Sequence, residues 1–147
     1  MKTIRTWVYA LMYKDEQILV IKKWKWPFTW LYDLPWGKIE HWEDHIEALK
    51  REIFEETWLK ETEFEIEKLL LVSEDFVNHI WEWKQKNEHL IFITYLIKIL
   101  SNNFNLNYKE IDWDAKWLKL INIFDTKIPT TNALKKALLE FNRKYKK

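Results

Sequence analysis

The apolar positions along this chain change period several times. Thr6 to Tyr13 (TWVYALMY) and Gln17 to Lys23 (QILVIKK) are apolar runs parted by Lys14-Asp15-Glu16, the pattern of a β-hairpin. Trp24 to Trp30 reads as a loop, and Leu31 to Pro35 as a short strand closed by proline. From Glu43 to Thr57, Ile46, Leu49 and Ile53 recur at helical spacing with no Pro or Gly between them, which predicts a helix. Strand composition returns at Phe64 to Val72 and at His89 to Leu100. Asn102 to Lys109 is a polar connection, and Trp117 to Phe124 reads as a further strand. Thr131 is placed to cap a last helix whose Leu134, Ala137, Leu138 and Phe141 form one stripe. No repeat or linker interrupts this order. It predicts a single α+β domain over residues 1–147, a mixed sheet with helices packed on it.

A chain of 147 residues is long enough to bury a core of its own. With 24 Lys+Arg against 23 Asp+Glu, the net charge of +1 excludes a broadly basic nucleic-acid binder. The absence of cysteine excludes disulfide scaffolds, Cys-based zinc sites and thiol nucleophiles. The longest apolar run, Leu90 to Ile97, is too short for a bilayer, and the first residues lack the apolar core of a signal peptide. The expectation is a cytoplasmic protein without membrane contacts.

Chemistry concentrates in Arg51 to Glu56 (REIFEE). Glu52, Glu55 and Glu56 stand at i, i+3 and i+4 and share one arc of the helix, beside the Ile46/Leu49/Ile53 stripe. Carboxylates so placed repel unless positive charge sits among them, and a hard divalent cation takes such oxygen ligands. The bland alternative is a solvated acidic helix face.

Read from Gly37, the chain runs GKIEHWEDHIEALKREIFEETWL. This resembles the Nudix box, G-x5-E-x7-R-E-U-x-E-E-x-G-U, where U is bulky and aliphatic. Gly37, Glu43, Arg51, Glu52, Ile53, Glu55, Glu56 and Leu59 match at the required spacing, eight of nine defined positions; Trp58 replaces the second glycine. The resemblance implies an α/β/α sandwich and hydrolysis of a nucleoside diphosphate linked to another group, X. It further implies Mg²⁺ or Mn²⁺ held by Glu52, Glu55 and Glu56, with the Trp36 backbone carbonyl as a further ligand. Glu52 would also help to activate water. Arg51 would orient the carboxylates, and Gly37 and Glu43 would be structural. The implied partner is a small-molecule nucleotide, and a homodimer is compatible with the family. A Nudix-fold nucleotide-binding module without turnover is the rival reading.

One feature of the composition is abnormal. Usual glycine usage of roughly 7% predicts about ten glycines here, yet the chain has one Gly and eleven Trp. Tryptophan fills positions where the family carries glycine: Trp36, at the first glycine of the usual LPGG, Trp42 before Glu43, and Trp58 in the box. Trp24, Trp26 and Trp30 crowd one loop, Trp81 and Trp83 another, and Trp7, Trp113 and Trp117 complete the set. Genetic codes differ in reading UGA, some as tryptophan and others as glycine. Most of these tryptophans are therefore expected to be glycines in the natural protein, with Trp117 the weakest case because Nudix domains often carry an aromatic there. Engineering or a divergent, inactive member is the competing explanation.

Weaker signals have plainer readings. His41 and His45 flank the helix start without a zinc-spaced set, and His79 and His89 are isolated. Glu88 and Glu110 are candidates for the extra carboxylate that many Nudix enzymes recruit from outside the box, against the simpler reading of solvated charges. Lys135, Lys136, Arg143, Lys144, Lys146 and Lys147 read as the exposed face of the last helix. Phe28 and Tyr32 could stack on a base or pack in the core.

Overall fold

The structure, a computed structural model, describes residues 2–23, 31–81, 83–104, 106, 116–125 and 127–145. The strands are β1 (Lys2–Lys14), β2 (Gln17–Lys23), β3 (Tyr32–Asp33), β4 (Trp36–Lys38), β5 (Phe64–Trp81), β6 (Lys84–Ile99) and β7 (Lys116–Asn122). The helices are α1 (His45–Thr57) and α2 (Asn132–Tyr145), and Glu61–Glu63 makes one 3-10 turn.

β1 organises the sheet. Along one edge it pairs in parallel with β6, from Lys2↔Asn87 to Tyr13↔Lys98. Along the other it pairs with β2 only at Tyr13–Lys14, and farther back with β4 at Trp7–Tyr9. β2 thus leaves β1 soon after their turn and pairs instead with β7 and β3. At the split the Ala10 amide donates to the Pro35 carbonyl at 2.9 Å, which fixes β4 beside β1.

The run Val8-Tyr9-Ala10-Leu11-Met12 is buried throughout, as a strand covered on both faces requires. Val8, Ala10 and Met12 join Leu19, Ile21, Ala48, Leu49, Ile53 and Ile97 in a core under α1. Tyr9 and Leu11 join Leu34, Leu90, Phe92, Leu134 and Ala137 in a second core under α2. Alternation along the strands thus feeds two helices on opposite faces, a three-layer arrangement within the α+β class.

Several boundaries differ from the sequence reading. α1 begins at His45, because Asp44 is extended and caps it; Glu43 lies outside the helix. Ile46 is half-exposed, and Ala48 takes the core place expected for it. β5 runs nine residues past Val72, to Trp81, and pairs with the extended start of β6 as a long hairpin. β4, given no element in the sequence reading, is a strand. Trp24, Trp26, Phe28, Trp30, Glu110 and Trp113 lie outside the described residues.

Candidate active site

The path from β4 into α1 is fixed by backbone bonds before any functional side chain enters. The Glu43 amide donates to the Glu40 carbonyl at 3.0 Å, closing a turn, and the Glu40 amide donates to Glu43 Oε1 at 3.0 Å. Asp44 then caps the helix. Its carboxylate accepts from the Glu47 amide at 2.8 Å, and the Glu47 carboxylate accepts from the Asp44 amide at 3.2 Å. This reciprocal capping box satisfies amides at the helix start that would otherwise lack partners. Asp-x-x-Glu at 44–47 was a readable sequence signal for this start.

Arg51 is the hub. Its Nε and Nη2 donate to the two Glu43 oxygens at 2.8 and 2.9 Å, a bidentate fork. Nη2 also donates to the Lys38 carbonyl at 3.0 Å, which ties the helix to the end of β4. Nη1 donates to Glu52 Oε1 at 2.7 Å and lies 3.4 Å from Glu55 Oε2. One guanidinium therefore joins loop, strand and helix, and puts positive charge among the carboxylates. Hydrogen bonds from Arg51 and the Glu40 amide hold the Glu43 carboxyl far below its ordinary range, at about 2. The same contact with Glu43 pushes the Arg51 guanidinium up.

The three box glutamates occupy different environments. The Glu55 side chain is 55% exposed, that of Glu52 is 15% exposed, and Glu56 is buried at 7%. A solvated acidic face describes Glu55 alone. Glu52 lies against Gly37, where a Cβ built on the glycine would fall inside the Glu52 carboxyl group. Gly37 does not need positive φ; it is glycine so that the carboxylate can approach the backbone. Trp36 precedes it, opposite Tyr9 in the β1–β4 ladder, so its carbonyl is one peptide from the Glu52 contact. Its ring turns to the α2 side and stacks on Trp7 at 4.4 Å.

The donor set is chemically suited to a hard divalent cation: carboxylate oxygens beside a backbone carbonyl. Among the described residues, no three acidic or histidine side chains are already grouped as ligands. Arg51 Nη1 draws Glu52 and Glu55 to itself, and Glu56 is buried.

Other sequence candidates fall elsewhere. Glu88 pairs with Arg5 at 3.1 Å. It belongs to the even-numbered positions of β6, which with Leu90, Phe92 and Leu96 face α2; the positions facing α1 are Ile93, Ile97 and Ile99. Strand parity thus puts Glu88 on the sheet face opposite α1. His45 stacks on Tyr95 and His41 edges Trp42, both at the surface. Tyr32 is half-buried in the α2-side core, with Lys22 Nζ 5.4 Å from its ring centre. Thr131, expected from the sequence to cap the last helix, and Asp33, unremarked there, organise the far side. Thr131 donates to the buried Asp33 at 2.7 Å, and its hydroxyl accepts from the Leu134 amide at 3.4 Å, capping α2.

A family model described as the NUDIX domain matches residues 2–140. The chain is similar to the MutT Nudix hydrolase of Burkholderia pseudomallei, with 27% identity and a TM-score of 0.67 over 93% of this chain and 97% of that one. A Nudix hydrolase from Nitrosomonas europaea shares 17% identity, with a TM-score of 0.67 over 95% of this chain and 89% of its own. A C. elegans Ap4A hydrolase shares 16% identity and a TM-score of 0.63, covering 95% and 96%. No curated protein sequence matches significantly. With the box geometry in place and the family model spanning nearly the whole chain, the protein belongs to the Nudix family of pyrophosphohydrolases.

Proposed function

We propose that this protein hydrolyses the diphosphate bond of a nucleoside diphosphate joined to a further group X, using Mg²⁺ or Mn²⁺. The observation that carries this reading is the Arg51 hub, which gathers Glu43, Glu52 and Glu55 while Gly37 admits the Glu52 carboxylate to the loop. Glu52, Glu55 and Glu56 would hold the cation, with the Trp36 carbonyl beside them. When bound, the cation neutralises phosphate charge and lowers the pKa of the attacking water.

The chain's own residues do the rest. Glu52 accepts the proton of a water whose oxygen forms the new bond to phosphorus. The anhydride P–O bond breaks, and the products are a nucleoside monophosphate and X-phosphate. Arg51 holds Glu52 and Glu55 in register with the loop, and Glu43 holds Arg51. Occupation by a cation requires Glu52 and Glu55 to release Arg51 Nη1; the guanidinium keeps its two bonds to Glu43, so it is not set free.

The test is Mg²⁺-dependent hydrolysis across a panel of nucleoside-diphosphate derivatives, with release of nucleoside monophosphate as the readout. Glu52→Gln is expected to lower kcat by about 10²–10⁴, the range for a lost general base. Glu55→Gln, at an exposed position, is expected to raise the Mg²⁺ concentration needed for half-maximal rate without changing the fold. Tight nucleotide binding with no turnover in any metal would replace this reading with the binding module.

A further inference from the structure

Four non-glycine residues among those described have positive φ: Asp15 at 55°, Trp42 at 67°, Trp58 at 70° and Trp83 at 65°. Asp15 is unsurprising, since Asp bonds its own backbone and tolerates this region. For a bulky residue the left-handed region is an outlier, because Cβ crowds the following carbonyl. Tryptophan makes up eleven of 147 residues yet three of these four positions.

Each of the three sits where the backbone has a specific use for glycine. Trp42 is the third residue of the Glu40–Glu43 turn, the place where type II turns take glycine. Trp58 follows the last turn of α1 and closes it with a bond from its amide to the Phe54 carbonyl at 2.9 Å; helices commonly end on a left-handed glycine there. Trp81 pairs with Lys84, so Trp83 is the second residue of a two-residue hairpin connection, where positive φ matches strand twist and glycine is favoured.

Burial offsets little of this strain at two of the three positions. Trp42 is 93% exposed and Trp83 99%, and half of Trp58 faces solvent. Most of the Trp42 and Trp83 indoles lies in solvent, where burial returns little against the strain. Trp7 and Trp36 are different: both lie in strands, outside the positive-φ set, stacked on each other. Backbone demand therefore singles out positions 42, 58 and 83 and is silent on 7 and 36.

We infer that Trp42, Trp58 and Trp83 are glycine in the protein as its own cells make it, with UGA codons at these positions read there as glycine. The inference is independent of the proposed activity. It implies a glycine-charged tRNA that decodes UGA in those cells, while Gly37 comes from an ordinary glycine codon.

The experiment is mass spectrometry of the protein purified from its source cells, with the gene's codons read in parallel. Trypsin releases peptides 39–50, 52–60 and 69–84, which contain the three positions. Fragment spectra are expected to show glycine at 42, 58 and 83, each from a UGA codon. Tryptophan at position 42, 58 or 83, or UGG codons at the three positions, would overturn the inference. Loss of hydrolytic activity would not bear on it.

Discussion

At the scale of single residues, Glu43 gives the sharpest pH prediction. Its carboxyl falls from an ordinary 4.5 to about 2 in the folded chain, chiefly through Arg51. A folded value below the unfolded one means stability that is fully present above about pH 4.5 and lost as pH falls towards about 2. Glu43→Gln is therefore expected to lower Tm at pH 7, with the gap from the parent closing as pH drops through this window. A gap that stays constant to pH 2 would show that the Glu43–Arg51 pair adds no charge-dependent stability. Trp58 supports a prediction of opposite sign. Relief of Cβ strain gives roughly 1–2 kcal/mol, offset by roughly 0.5–1 kcal/mol for glycine's greater unfolded freedom. Trp58→Gly should thus raise Tm by a few degrees, about 2–4 °C per kcal/mol at this chain length, as differential scanning calorimetry would register. A Tm unchanged or lowered would mean that the half-buried indole outweighs the strain.

Among the elements, α2 depends on one hydroxyl. Thr131 both caps the helix and bonds the buried Asp33 of β3, so it joins a helix to an edge strand. Thr131→Ala removes both bonds and is expected to cost about 1–2 kcal/mol, at the upper end for caps, measured by urea unfolding. Equal unfolding of Thr131→Ala and parent would assign the junction to apolar packing alone. α2 and α1 were legible in the sequence because each repeats its apolar residues at helical period and opens on a capping residue. β4 was not. Three residues carry no period. The far half of β5 was also missed, since Ser73 to Trp81 brings Glu74, Asp75 and Asn78 into a hairpin whose even positions face solvent. Alternation was present there, without the apolar density that marks a covered strand. The Arg51 hub shows the same limit. Glu43 precedes the helix, so its pairing with Arg51 is not a helical i,i+4 contact, and only the resemblance to the box implied a structural role for each. Glu88 stayed an open candidate in the sequence because composition does not say which face of a strand a residue takes.

For the whole molecule, the site joins parts of the fold that the sheet alone leaves separate. β1 gives up β2 for β4 halfway along, and β4 carries Gly37 to the foot of α1, where Arg51 reaches back to the Lys38 carbonyl. The proposed ligands lie on both sides of this junction: Trp36 on the strand, and Glu52, Glu55 and Glu56 on the helix. A cation held by both sides would bind the folded chain and not the unfolded one, so stability should rise with its concentration. At about one hundred times Kd the gain is roughly 2.7 kcal/mol, a Tm shift of about 5–10 °C for a domain of this size. Gly37→Ala separates this coupling from mere attraction of cations to acidic surface. The added methyl displaces the Glu52 carboxyl group from the loop, while Glu55 and the net charge are untouched. The parent should therefore gain Tm with Mg²⁺, and the Gly37→Ala protein should gain far less and lose turnover with it. An equal Mg²⁺ shift in both would mean that the cation binds away from the Gly37–Glu52 contact, and the proposed ligand set would have to be redrawn around Glu55.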